Sequence, residues 1–440
     1  METKILIISP DEIGKRMSGP GIRYLNFAIE LAKCFKVILF SPNIPELELK
    51  NNYNFEVVHF TKQNVMRHVK REAILITQGR TIWENAYLKK IGIPLVVDLY
   101  DPFIFENLEL NKYKAHNEKV HQASLSMLLE QLEVGDFFLC ASEKQKDFWL
   151  GMLSSLNRVN AKEYEIDETL NHLIQVIPFG VTGERPKKTR QVLKGVHPAI
   201  HKDDILIIWG GGVWDWLDPI TAIEAMVVLK SRGIDYVKLF FMGVKSPNPL
   251  LQSMKNLTMM QELSNRHGIT DELVFFNDWV DFNDRHNYLL EADIGLSLHH
   301  NHIETRFSYR TRITDYIWCG LPVISTEGDI FADLITQHSI GRVIKHNNVN
   351  ELVDSILSFD GKTEYEVGFS TLQKELQWQE AVKPLVEYCM NPRFSTGKRN
   401  IFKIKRMSKI SFVFHKTFQL IKSKQYRLLM NKLRRFTKIK

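Results

Sequence analysis

The sequence predicts an α/β protein built from two doubly wound units that face each other across a cleft, with a basic helical tail behind them. Three observations lead there. Short apolar runs alternate with helix-length stretches in two successive series, the pattern of parallel sheets wrapped by helices. A polar, basic stretch with Pro186, Gly195 and Pro198 separates the series. The chain has 440 residues, more than one ordinary hydrophobic core serves.

The first series opens with the strand KILIISP. Helical spacing follows through Ile22, Leu25, Ala28, Ile29 and Ala32, over Ile22 to Lys33. The runs KVILFSP, FEVVHF, AILITQG, PLVVDLY and DFFLCAS read as further strands, and VIPFGV at 176–181 closes the unit. The first unit is set at 1–183 and the link at 184–203. The second series, 204–365, runs DILIIWGGG, a helix from Pro219 to about Arg232, VKLFFMG, a helix near 257–267, LVFFNDW, a helix from Asn283, ADIGLSLH, a helix from about Arg312, LPVIST and GRVI. Residues 366–392 form a further segment, and 393–440 the tail.

Composition narrows the class. Hydrophobic residues make up 44% and charged residues 25%, as in a globular protein. No run approaches the roughly 20 apolar residues of a membrane span. The opening METKILIISP reads as a first strand rather than a leader, because Asp11 and Glu12 follow where small residues would be needed. Cys34, Cys140, Cys319 and Cys389 form no C-x-x-C pair and read as reduced thiols of a cytoplasmic protein. His299, His300 and His302 cluster without a recognisable ligand pattern, so no metal is expected.

Five segments carry candidate chemistry. The densest is Glu291–Ser325, in which a polar loop sits between a strand and a helix. It holds Glu304, Arg306, Arg310, Thr311, Arg312 and Asp315. Arginines and hydroxyls opening a helix at a strand's carboxyl end suit a phosphate-bearing ligand. The second is the run Gly210-Gly211-Gly212-Val213-Trp214-Asp215-Trp216. Its glycines permit close approach of phosphate or sugar at Gly211 and Gly212. Trp214 suits stacking on a base or sugar and equally suits packing at an interface. The third is the turn Gly19 to Gly21 after the first strand, which lacks G-x-G-x-x-G spacing and so does not indicate a nicotinamide dinucleotide. The fourth is Trp279 at a strand end, placed to frame a nucleobase or to fill a core. The fifth is Asp98 and Asp101, suited to hydroxyl binding or proton transfer, or to capping.

At Asp315-Tyr-Ile-Trp-Cys-Gly-Leu-Pro-Val-Ile the chain resembles the retaining GT-B glycosyltransferases of family 4, which carry Glu-Ala-Met-Ala-x-Gly-x-Pro-Val there. Asp315 holds the place of the second acid of their Glu-x7-Glu motif. The first would fall at Phe307, and the nearest upstream acid is Glu304. The Gly19–Gly21 turn and VIPFGV match further family features, and ELQWQEAVKPL at 375–385 resembles the family's closing helix, which implies that 366–392 is a crossover helix returning to the first unit. GGGVWDW replaces the family's Gly-Arg and nearby Lys, and VVDLYDP replaces its usual active-site His. The resemblance implies two Rossmann-like domains and a nucleotide-sugar donor on the second. A glycan acceptor, lipid-linked in cell-surface polysaccharide synthesis, would sit on the first. Transfer would proceed with retention and without cofactor or metal. It casts Glu304, Asp315, Asp98 and Asp101 as catalytic. Gly19, Gly21, Gly211, Gly212, Trp214, Asp215, Trp279, Arg306, Arg310, Thr311 and Arg312 would bind the donor. The altered motif keeps two alternatives open: a catalytically silent module of this fold that binds a partner transferase or glycan, and another GT-B enzyme such as a sugar-nucleotide epimerase or a phosphorylase.

Charge is uneven. Residues 393–440 hold 16 Lys/Arg and no acid, whereas residues 1–392 hold 42 Lys/Arg against 51 Asp/Glu. In the tail, Tyr426, Leu429, Met430, Leu433 and Phe436 recur at helical spacing among the bases. Such a segment suits an anionic membrane surface, which would place the protein on the inner face of the membrane. No nucleic acid is expected as a partner.

Overall fold

The structure, a computed structural model, describes residues 3–14, 17–45, 53–244, 254–398 and 417–418. The tail segment 399–440 thus lies almost entirely outside the described residues. Among the described residues, no helix is long and apolar enough to cross a membrane.

The strands are β1 (Lys4–Ile8), β2 (Lys36–Ser41), β3 (Glu56–His59), β4 (Ala73–Thr77), β5 (Leu95–Asp98), β6 (Phe137–Cys140), β7 (Ile174–Val176), β8 (Ile205–Gly212), β9 (Val237–Gly243), β10 (Val274–Phe276), β11 (Ile294–Ser297), β12 (Val323–Thr326) and β13 (Gly341–Ile344). They form a seven-stranded sheet, ordered β3-β2-β1-β4-β5-β6-β7, and a six-stranded sheet, ordered β10-β9-β8-β11-β12-β13. Every pairing is parallel, from Ile5 against Val37 to Gly295 against Val323. Both faces of each sheet are covered: in β1, Ile5 and Ile7 pack into one cluster while Leu6 and Ile8 pack into another. Continuous apolar runs such as KILII and AILIT follow from this two-sided burial.

The strand orders position the site. Chain order reverses between β1 and β4 in one sheet and between β8 and β11 in the other. Open α/β sheets bind ligands at the carboxyl ends beside such reversals. The turn to Gly19 leaves β1, and Gly210–Gly212 end β8, so both glycine motifs stand at reversal points.

VIPFGV leaves the sheet where β7 ends, at Val176. One expectation is corrected. Residues 366–392 are not one crossover helix but three helices, Glu366–Glu375, Trp378–Ala381 and Lys383–Met390. Gln377 is extended (ψ 138°) because the chain there pairs with the outgoing link: Val181 N–H donates to Leu376 O at 2.7 Å, and Trp378 N–H to Val181 O at 3.2 Å. Trp378 then packs edge-on to Phe27, 6.0 Å between centroids, and against Phe179 at 5.1 Å. Gly180 permits this crossing, since a Cβ there would lie 2.6 Å from the Trp378 ring.

The last described stretch of the main chain returns to the first unit. Ser395 N–H donates to Asp136 Oδ1 at 2.9 Å, Lys398 pairs with Asp136, and Arg393 Nη2 lies 3.0 Å from Glu163 Oε2.

Candidate functional site

A cleft of about 630 Å³ lies between the two sheets, lined by both units. Its floor on the second side is the end of β8. Gly210 N–H donates to the Tyr316 hydroxyl at 2.7 Å, and that hydroxyl donates to Leu296 O at 3.0 Å. A Cβ on Gly210 would stand 2.9 Å from the Tyr316 ring. Gly211 takes φ +73° with nothing within 4 Å of its missing Cβ, so the backbone is bare toward the cleft.

The helix Thr311–Cys319 begins beside this turn, and no side chain caps it. Thr311 and Arg312 line the cleft, and Gly19 of the first unit approaches so closely that its Cβ would lie 3.5 Å from Thr311 Oγ1. Arg312 donates through Nη2 to Gly212 O at 2.8 Å and lies 4.9 Å from the Trp209 ring centroid. Its Nη1 is buried and has no hydrogen-bond partner. Burial pulls this guanidinium down to about 10, so it remains a cation at neutral pH. A fixed cation with an unused donor, an uncapped helix start and a bare glycine turn converge on an anion site. Of the three arginines expected to meet phosphate, Arg312 lies at this turn; Arg310 also lines the cleft and keeps a buried Nε without a partner.

The other two are placed differently. Arg310 is 7% exposed, and its guanidinium donates to both oxygens of Glu304, at 2.8 and 2.6 Å. Arg306 is exposed beside the Phe307 ring and does not line the cleft. Glu304, expected to touch the donor, is 0% exposed and spent on Arg310, and it too is absent from the cleft wall. It can only hold Arg310 in place. Asp315 does line the cleft and accepts from Arg285 Nε at 3.1 Å. Arg285 in turn lies over the rings of Phe282 and Trp318.

On the first side, Asp98 reaches the cleft lining but is 2% exposed and bound by Arg23, Nε to Oδ2 at 2.7 Å and Nη2 to Oδ1 at 3.1 Å. Both of its oxygens are thus taken up by one guanidinium. Asp101 lies in the same wall without such a cation. Burial foremost pushes its carboxyl up to about 6.

The remaining candidates divide. Gly212, Trp214 and Trp279 line the cleft. Trp214 stacks on Trp216, 5.1 Å apart at 3°, and Trp279 lies where a Cβ on Gly243 would be, 2.8 Å away. Gly21 does not line it, being pressed against Glu12 O, 2.5 Å from where its Cβ would be. Asp215 does not either; its Oδ1 accepts from Asn256 N–H at 3.1 Å in the first turn of the helix Lys255–Arg266.

Sequence reasoning missed Arg23, Tyr316, Arg285, Glu106 and Gln131. Arg23 had a signal, a charge beside the apolar stripe of the first helix. Tyr316 and Arg285 had none, because Gly210 and Asp315 are distant in the chain, and Glu106 and Gln131 belong to no motif.

Outside the cleft lining, Phe307 of the second unit stacks on Phe105 of the first, 5.5 Å apart, and meets Phe148 at 5.0 Å. Gln145 Nε2 donates to Phe307 O at 2.7 Å and to Tyr100 O at 2.8 Å, and Lys144 pairs with Asp333 at 2.8 Å. These contacts join the two units.

No protein-family model matches the chain, and no curated protein matches it in sequence. Solved structures do. The chain is similar to HepE of Anabaena in complex with UDP-glucose, with 13% identity and a TM-score of 0.63 over 88% of this chain and 99% of that one. It is similar to a sucrose-phosphate synthase from Thermosynechococcus elongatus, with 14% identity and a TM-score of 0.60 over 88% and 98%. It is also similar to WaaG, a glycosyltransferase involved in lipopolysaccharide biosynthesis, with 14% identity and a TM-score of 0.50 over 90% and 97%. Identities this low speak for architecture, and the architecture is that of GT-B glycosyltransferases: two Rossmann-like units facing across a cleft.

Proposed function

We propose that this chain is a glycosyltransferase that takes a sugar from a nucleotide-sugar donor bound on its second unit. The observation that carries this reading is the unpartnered Nη1 of Arg312, set beside the Gly210–Gly212 turn and the uncapped start of Thr311–Cys319. A leaving diphosphate gains charge as its bond to the sugar breaks, and a fixed cation at that place stabilises it. The solved relative bound to UDP-glucose supports a nucleotide sugar as the ligand class. Asp315 is positioned for sugar or ribose hydroxyls of the donor, and Glu304 acts through Arg310.

The finer reading is transfer with retention and without metal, onto a glycan of cell-surface polysaccharide. That acceptor would be lipid-linked and met at the inner face of the membrane. WaaG, named for lipopolysaccharide biosynthesis, supports an acceptor of that kind. The 14 bases of residues 399–440 would supply the attraction to anionic lipid.

A thermal-shift screen over nucleotides and nucleotide sugars tests the first claim, since a ligand of the folded state raises the melting point. Stabilisation by one nucleoside diphosphate and its sugar ester, lost in Arg312→Ala, is the expected result. No shift with any of them would overturn it. Flotation with phosphatidylglycerol vesicles tests the second: truncation at residue 398 should abolish binding.

A further inference from the structure

The cleft runs past the glycine turn into an arm whose walls change character along their length. One wall is a pair of helices, Phe103–Leu110 and Asn117–Val134. On the longer helix, Val120, Ser124, Met127 and Gln131 all line the cleft. Steps of three and four residues put them on one stripe of that helix. From Gln131 to Val120 the stripe rises about 16 Å. On the shorter helix, Phe103, Asn107 and Leu110 line the same space at the same steps. Asn107 Nδ2 donates to Ser124 Oγ at 3.0 Å and fastens the two helices midway. The facing wall belongs to the second unit: Trp214 and Leu217 line it, and Leu110 packs against the cluster that holds Trp216 and Leu217.

The inner end, where the strands stop, is polar. Gln78 directly follows β4, Asp101 and Glu106 come soon after β5, and all three line the cleft. Among the described residues neither acid forms a salt bridge. Gln131 is 2% exposed, yet its Oε1 has no hydrogen-bond partner, and Oε1 of Gln78 has none either. A Cβ on Gly79 would lie 2.4 Å from Gln131 Oε1, which sets the two glutamines close together. Buried amide oxygens are ordinarily satisfied, and sugar hydroxyls would supply the missing donors.

Toward the outer end the wall turns apolar. Val120 and Met127 are half-buried, and neither belongs to a core cluster of the described residues. Their apolar surface therefore stays available to a ligand. Beyond Leu110 the chain turns at Tyr113, which is 88% exposed, with Lys112 Nζ 5.7 Å from its ring centroid and Lys114 next in the chain. An aromatic ring beside ammonium groups suits a boundary between hydrocarbon and water.

We propose that this arm holds the hydrocarbon part of an amphipathic acceptor, its saccharide head at Gln78 and Gln131 and its chain running out past Met127 and Val120. This rests on the glycosyl-transfer reading and names the acceptor class for it. One segment joins the two ligands: the bare Gly211 turn, beside which the donor diphosphate would lie, leads directly into Trp214. A free glycan would leave Met127 and Val120 wet. A hydrocarbon chain would cover them, with about fourfold in affinity for each methylene buried.

The test uses the full chain, a panel of UDP-, GDP-, ADP- and dTDP-sugars, and methyl and octyl glycosides of glucose, galactose and mannose below their micelle concentrations. The kcat/KM for the octyl glycoside should exceed that for the methyl glycoside by roughly tenfold or more. Val120→Asp and Met127→Asp should each bring that ratio toward one. A ratio taken on one preparation does not depend on how much of it is folded. A binding measurement needs no turnover and decides alone if no glycoside head is accepted: dodecyl maltoside brominated on its chain should quench tryptophan emission, and should do so less in Trp214→Phe. A ratio near one in the wild type, a ratio that survives both substitutions, or absence of quenching overturns the proposal. No turnover of any sugar nucleotide, with the glycosides or with water alone, would instead sink the glycosyl-transfer reading, and the proposal with it.

Discussion

Arg310 grips both carboxylate oxygens of Glu304, at 2.8 and 2.6 Å, where Glu304 has no exposure at all. Removing one partner of a buried pair strands the other, which costs about 3–5 kcal/mol. Glu304→Ala should therefore lower unfolding free energy by that order in urea denaturation. Replacing both partners together, Glu304→Leu with Arg310→Met, should recover most of the loss. A single variant as stable as wild type would show that the pair contributes nothing.

Arg312 offers one unused donor to the cleft, and a hydrogen bond between charged groups contributes about 1.5–3 kcal/mol. Arg312→Ala should weaken binding of the nucleoside diphosphate by roughly tenfold to a hundredfold. Arg312→Lys should restore little, because an ammonium cannot reach Gly212 O and a phosphate with one planar fork. Isothermal titration calorimetry with UDP, GDP and ADP measures both.

Tyr316 accepts from Gly210 N–H and donates to Leu296 O, tying the β8 turn to the neighbouring strand. Tyr316→Phe leaves two backbone groups unsatisfied, at about 1–3 kcal/mol for such a group. Loss of stability together with weaker nucleotide binding is expected. Loss of stability alone would mean that the turn keeps its shape without the hydroxyl.

The Asp101 carboxyl has a folded value of about 6 against an ordinary value of 3.8. Between those values the folded state binds more protons than the unfolded state, so stability falls as pH rises across that window and stays low above it. Asp101→Asn cannot titrate. The stability difference between wild type and Asp101→Asn should thus shift against the wild type from pH 4 to pH 7, measured by urea denaturation at each pH.

Phe307 of the second unit stacks on Phe105 and meets Phe148, both of the first. Each aromatic contact contributes about 0.5–1.5 kcal/mol beyond the area it buries. Phe307→Ala should loosen closure, raising the radius of gyration in small-angle scattering while leaving the unfolding midpoint of each unit nearly unchanged.

The architecture was legible because parallel strands covered on both faces leave uninterrupted apolar runs: KILII, ILIIW and KLFFM each became a strand. The glycine turns were legible too, since Gly211 needs the positive φ that it takes. The roles within the acidic motif were not. Glu304 and Asp98 read as free acids, and only folding brings Arg310 and Arg23 against them. Glu106 and Gln131 carried no motif, because their significance lies in what they lack as partners. Residues 366–392 misled through the resemblance of ELQWQEAVKPL to a single closing helix, which does not register that Gln377 must straighten to meet Val181.

The link to the second unit and the return from it run side by side, tied through Val181, Leu376 and Trp378. Two tethers fastened together behave as a door hinge rather than a ball joint: they bend about one line and resist twist. As far as residue 398 the chain then lies on the first unit, where Lys398 meets Asp136. If the residues after 398 hold a surface, they hold the first unit, and the second is the leaf that swings. Closure would then carry the donor toward a stationary acceptor, along one arc, with the Gly19–Thr311 contact as its stop.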